Sequence, residues 1–197
     1  MTTVCWDGNE LAADTLYVTA TRRLGGNYEK ILLPDVAKWT VEGKSILAVG
    51  FSGSISTIPH IKKVLEADAT PGVDPACGDA NFTLLLITDK REVYYWNYGL
   101  THKGEVINEL FVVEGNHGIG SGGIYGLGVM AIRGKAIDGV KAGIKIDIHS
   151  GGYIDVWSFD TPRLLTRFNP ATGEIVSAKQ NTPVPEKNDT ILCAVNG

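Results

Sequence analysis

The chain has 197 residues, enough for one domain with its own core. Its 44% hydrophobic and 20% charged residues, at a mean hydropathy of +0.03, describe a globular protein rather than a disordered or fibrous one. Eighteen basic against 22 acidic residues give a formal charge of −4, with no basic cluster beyond Arg22-Arg23 and Lys62-Lys63, which excludes a nucleic-acid surface. The longest apolar runs, Ile46 to Phe51 and Leu84 to Ile87, fall far short of the ~20 residues that span a bilayer, and no basic-then-apolar leader opens the sequence, so neither membrane nor secretory signal is expected.

In chain order, Thr2 to Trp6 and Glu10 to Asp14 read as strands joined by the turn Asp7-Gly8-Asn9. Leu16 to Thr21 and Lys30 to Leu33 are expected to pair, and Ser45 to Phe51 is a buried strand ending in the turn Gly50-Phe51-Ser52-Gly53. A helix follows from Thr57 to Asp68: Ser56 or Thr57 can cap it, Pro59 suits its first turn, and Ile58, Ile61, Val64 and Leu65 form one apolar stripe. Residues 69 to 81 read as a loop, and Phe82 to Thr88 with Glu92 to Tyr98 as a hairpin around Asp89-Lys90-Arg91. After an apolar run at Glu109 to Val113, the glycines from Gly118 to Gly123 lead into a helix, and Ile137, Val140, Ile144 and Ile148 keep the spacing of a second helix stacked beside it. Tyr153 to Phe159 returns to strand, and the proline-bearing tail from Thr161 carries weak strands and loop.

Several motifs test poorly. Gly118-x-Gly120-x-x-Gly123 matches the dinucleotide fingerprint, but that mechanism needs a crossover to a parallel strand, and a second helix is expected instead. His60, His102, His117 and His149 share no ligand spacing, and Cys5, Cys77 and Cys193 are odd in number and scattered, so neither a metal site, nor an organic cofactor, nor a disulfide framework is expected. A reducing cytoplasm fits this cysteine usage best. No serine stands in a Gly-x-Ser-x-Gly elbow.

The informative stretch is Met1-Thr2-Thr3-Val4, because removal of Met1 would leave an N-terminal threonine, nucleophile and base on one residue. Behind it stand Ala12-Ala13-Asp14, Lys30-Ile31, Ala48-Val49-Gly50, Gly120-Ser121-Gly122-Gly123 and Asp147-x-x-Ser150-Gly151. In this order, over about residues 2 to 158, the chain resembles the proteasome β-subunit family of N-terminal nucleophile hydrolases, which includes a bacterial peptidase working with an unfolding ATPase.

The resemblance implies an α+β fold, a four-layer αββα sandwich of two antiparallel sheets covered by helix pairs, in a single domain over 1–197 with a core at about 2–159 and an extension at 160–197. It implies that Thr2 is nucleophile and base, that Lys30 lowers the pKa of the Thr2 hydroxyl, that Asp14 holds Lys30, and that the Gly50 N–H is the oxyanion donor. Ser121, Asp147 and Ser150 would orient the N-terminal amine. The implied partners are a peptide or unfolded-protein substrate, further copies of the chain, and an unfolding ATPase. Ser54 replaces the family's acid, the first helix is short, and Asn97 to Asn108 reads as an added segment, so ring contacts are expected to differ. A silent assembly protein and a small-molecule amidase are the alternatives to a threonine peptidase. The active form is expected to begin at Thr2; an intact mass one methionine lighter than the full chain checks this, and a peptide-cleaving preparation retaining Met1 on every molecule would contradict it.

Overall fold

The computed structural model describes residues 2–18, 23–25, 27–34 and 37–180. The chain opens with β1 (Val4–Trp6) and β2 (Glu10–Asp14), joined by a turn in which Asp7 Oδ1 accepts the Asn9 and Glu10 N–H groups at 2.9 and 2.8 Å. The aspartate thereby supplies the acceptor that a tight turn otherwise leaves missing. β3 (Tyr17–Val18) pairs with β4 (Arg23–Gly25), and β5 (Ile31–Leu32) and β6 (Thr40–Val41) each pair with the long β7 (Lys44–Gly53). A 3₁₀ turn at Ile55–Thr57 leads into α1 (Ile58–Glu66), with Pro59 in its first turn.

β8 (Phe82–Thr88), β9 (Val93–Leu100) and β10 (Val106–Val113) form a meander, and β11 (His117–Ile119) precedes the antiparallel helices α2 (Gly123–Arg133) and α3 (Ala136–Ile146). The described chain closes with β12 (Ile154–Ser158), β13 (Leu164–Phe168) and β14 (Ile175–Gln180). Two large antiparallel sheets result, one in the order β11-β1-β2-β12-β13-β14 and one in the order β10-β9-β8-β7-β5 with β6 beside β7, while β3 and β4 stand as a separate two-stranded sheet.

Side-chain alternation along the strands sorts the apolar residues into three clusters. Val4, Trp6, Leu11 and Trp157 of the first sheet meet Ala48, Leu85 and Ile87 of the second, so the sheets share a core. The other face of the first sheet packs Cys5, Ala12 and Ile154 against Met130, Ala136 and Val140 of the helix pair. The other face of the second packs Phe51, Leu84 and Trp96 in one cluster with Ile61 and Leu65 of α1. The arrangement is an α+β sandwich with three α-helices among the described residues.

Three expectations are corrected. The strand after Lys30 pairs with β7 and not with the segment beginning at Leu16, of which Thr19 to Thr21 lie outside the described residues. Among the described residues no second helix accompanies α1, because residues 67–81 carry Pro71 and Pro75 and turn back repeatedly, with positive φ at Asp68, Gly72, Ala76 and Gly78. Asn97 to Asn108, the segment read as added, forms the end of the β9–β10 hairpin, with Tyr98 opposite Asn108 and Leu100 opposite Val106. Ile148 lies beyond α3 and is exposed. The tail, expected to carry weak strands and loop, supplies β13 and β14, which extend the first sheet.

No helix among the described residues is long and apolar enough to cross a membrane. A methyl group on Gly50 in β7 would lie 2.7 Å from Val4 Cγ1 and 3.2 Å from Leu11 Cδ1. Gly50→Ala is therefore expected to overpack the inter-sheet core and cost about 1–3 kcal/mol, read as a lower denaturation midpoint; an unchanged midpoint would contradict the packing described.

Candidate active site at the N-terminal strand

Asp14, the last residue of β2, is fully buried. Its Oδ1 accepts the Lys30 ammonium at 2.7 Å and the Thr3 N–H at 2.8 Å, and its Oδ2 accepts the Gly151 N–H at 2.9 Å. One carboxylate thus joins the first strand, the start of β5 and the segment after α3. Lys30 is held in turn by its own carbonyl, which accepts the Phe51 N–H of β7 at 2.8 Å. Burial pushes the Asp14 carboxyl up from its ordinary value, against the pull of Lys30 and the two N–H groups. Burial likewise pulls the Lys30 ammonium below the ordinary lysine value, against the attraction of Asp14.

A second carboxylate, Asp147, follows the last turn of α3. Its Oδ2 accepts the Ser121 hydroxyl at 2.6 Å and the Ser150 hydroxyl at 2.8 Å, while Oδ1 accepts the His149 N–H at 3.0 Å. Burial alone would raise its pKa, but these three hydrogen bonds prevail and hold it below the usual carboxylate value. Ser150 Oγ also lies 2.7 Å from Thr3 Oγ1, so Thr3 touches both carboxylate clusters.

The glycines before α2 admit this strand. Gly122 donates its N–H to Thr2 O at 3.1 Å. Gly120 has φ of +82°, and a methyl group there would overlap Thr2 O; one on Gly122 would overlap the Thr3 hydroxyl. The dinucleotide reading of these glycines fails on context, since β11 is antiparallel to β1 and α2 runs on into α3 with no parallel strand between.

Thr2 and Lys30 line one cavity of about 50 Å³ with Tyr28, Phe51, Gly53 and Ile58. Of the residues singled out in the sequence, Thr2 and Lys30 therefore face a common space, and Asp14, Ser150, Asp147 and Ser121 link behind them. Gly50 is not brought to this cavity. Ser54 N donates to Asn81 O before β8, whereas Phe51 N donates to Lys30 O on the opposite side. Because N–H groups alternate sides along a strand, that of Gly50 is directed to β8 and that of Gly53 to the Lys30 side. Ala48 is likewise buried in the inter-sheet core. Gly53 has φ of +146°, and a Cβ would come within 2.5 Å of Asn81 O, so only glycine fits there. Gly53 and Thr3 were missed in the sequence; strand parity was the available signal for the first.

Among the described residues no group of three or more His, Cys, Asp or Glu side chains could hold a metal ion. Burial, with Asp7 and Asp14 nearby, pushes the Cys5 thiol up to about 12, far from a thiolate nucleophile.

No protein-family model matches the chain, and no curated protein matches it. Solved structures do. Thiobacillus denitrificans BPH in complex with epoxomicin superposes with a TM-score of 0.54 at 17% identity, covering 80% of this chain and 97% of that one. Thiobacillus denitrificans BPH alone gives 0.52 at 17% identity over 79% and 95%. The Anbu complex of Pseudomonas aeruginosa, a helical assembly, gives 0.46 at 10% identity over 81% of each chain. The similarity to the Thiobacillus protein establishes a shared fold.

The folded pKa of Asp147 lies below its unfolded value, so folding favours its ionised form. The stability it contributes is full above the unfolded value of about 3.9 and is lost as pH falls through the folded one. Asp147→Asn is expected to lower the denaturation midpoint at neutral pH, with the gap to the parent narrowing as pH falls below the unfolded value of about 3.9. A gap that stays constant from neutral pH down through the acid range would contradict the assignment.

Proposed function

We propose that the chain is a threonine-type peptidase of the proteasome-like, N-terminal nucleophile kind, in a four-layer αββα sandwich, acting once Met1 is removed. The observation that carries this reading is the placement of Thr2 and Lys30 on one cavity, with Lys30 clamped by Asp14 at 2.7 Å. The fold shared with a protein seen in complex with epoxomicin supports it.

In the proposed reaction the Thr2 hydroxyl attacks a peptide carbonyl and gives its proton to the free Thr2 α-amine. The Lys30 ammonium lowers the cost of the developing alkoxide, and the Gly53 N–H stabilises the tetrahedral oxyanion. The amine then protonates the departing amide nitrogen, which leaves a Thr2 ester. A water molecule, deprotonated by the amine, hydrolyses this ester and regenerates Thr2. Ser121, Asp147 and Ser150 orient the first residue from behind. The substrate is a peptide or unfolded chain, the working form an oligomer of this chain in the cytoplasm, with an unfolding ATPase as partner.

Thr2→Ala is expected to abolish peptide cleavage, and Lys30→Ala to lower turnover roughly 10²- to 10⁴-fold with the fold retained by circular dichroism. Lys30→Arg should restore it only in part, because a planar fork does not replace a compact ammonium in a small cavity. Parental rates in either alanine variant would contradict the roles assigned.

The pH profile gives a separate check. The α-amine must be neutral to accept a proton, and the nearby Lys30 charge should hold its pKa below the reference of about 7.7–8.0. Turnover should therefore rise from mildly acidic to neutral pH and fall again once Lys30 loses its proton. A flat profile between about pH 5 and 9 would remove the amine from the chemistry.

A further inference from the structure

We propose that Thr3 is a positioning residue: its hydroxyl orders Ser150 on Asp147 while its backbone N–H hangs on Asp14, so that two buried carboxylates fix the peptide unit through which Thr2 enters the site. The proposal rests on the reading of Thr2 as the nucleophile.

The direction of the hydroxyl bonds follows from proton counting. A serine or threonine hydroxyl has one proton to give, and an ionised carboxylate can only accept. Ser150 spends its proton on Asp147 Oδ2 at 2.8 Å. The 2.7 Å contact between Thr3 Oγ1 and Ser150 Oγ is therefore made by the Thr3 proton, and the chain runs from Thr3 through Ser150 to Asp147. The low pKa of Asp147 keeps the end of this chain an acceptor at neutral pH.

The backbone is pinned to match. The peptide unit between Thr2 and Thr3 is planar, and both of its polar ends are held. Thr2 O accepts the Gly122 N–H at 3.1 Å, and Thr3 N–H donates to Asp14 Oδ1 at 2.8 Å. Thr3 is itself fully buried, against Gly122 just ahead of α2 and Gly143 within α3. Methyl groups on Gly122 or Gly143 would overlap its hydroxyl, and one on Gly143 would lie 2.5 Å from Thr3 Cγ2. The side chain is thus confined, its methyl filling space beside Gly143 and its hydroxyl directing Ser150.

Those two parts can be separated. Thr3→Val keeps the volume and removes the donor, whereas Thr3→Ser keeps the donor and removes the methyl. With Met1 removal confirmed by intact mass in each variant, Thr3→Val should lower kcat about 10- to 100-fold with KM within about twofold, the pattern of an interaction needed in the transition state. Thr3→Ser should stay within about threefold of the parental kcat although its melting temperature falls. On a Ser150→Ala background, Thr3→Val should cost little more, because the donor then has nothing to order.

A purely structural role would make both substitutions lose rate in step with melting temperature. Parental kcat in Thr3→Val, or equal damage in Thr3→Ser, would overturn the positioning role while the parent's cleavage left the nucleophile reading intact. A parent that cleaves no peptide with Met1 removed would overturn both.

Discussion

The structure around the N-terminal strand depends on one buried carboxylate. Removing an ionised group from water costs several kcal/mol even after relaxation, and the cost is met only when partners are close and well aimed. Asp14 has three: the Lys30 ammonium, the Thr3 N–H and the Gly151 N–H, all within 2.9 Å. These come from three parts of the chain, so satisfying the charge forces the first strand, the segment entering β5 and the turn after α3 into register. Removing any one partner leaves the remainder of a buried charge to be satisfied elsewhere.

The close approach of the helix pair works with this clamp. α2 begins against the Thr2 carbonyl, and Gly122 and Gly143 leave Thr3 no clearance beyond its own volume. Asp147, at the end of α3, lies near the start of α2 because the two helices run antiparallel, which is why a serine from each end can share its carboxylate. Sites held by packed helices and strands keep their geometry better than sites on loops. On the other side of Thr2 the strand β7 supplies an apolar wall at Phe51 and an open backbone position at Gly53.

Much of this was legible in the sequence, and the failures have physical causes. The first hairpin was readable from Asp7-Gly8-Asn9, whose side-chain acceptor closes the turn locally, and α1 from the spacing of Ile58, Ile61 and Leu65. Pairing between distant segments carries no local signature, so the partner of Ile31-Leu32 and the attachment of β13 and β14 to the first sheet were not legible. Thr2, Lys30 and Asp14 stood out as candidates, but their convergence is a tertiary fact. Gly50 and Gly53 lie on one strand three residues apart; only the strand's alternation, seen with both its neighbours in place, separates a core glycine from one facing the cavity. Thr3 gave no signal because a threonine on a strand is ordinary until its hydroxyl is seen against Ser150.

In the proposed reaction the Thr2 hydroxyl and its own free amine act together on a substrate carbonyl. A peptide epoxyketone offers two adjacent electrophilic carbons to such a pair, so tandem mass spectrometry of protein treated with one reads whether both groups react. One stoichiometric adduct is expected on the N-terminal peptide, localised to Thr2, absent from Thr2→Ala and greatly slowed in Lys30→Ala. An unmodified N-terminal peptide in protein that lacks Met1, or an adduct on another residue, would contradict the proposed reaction.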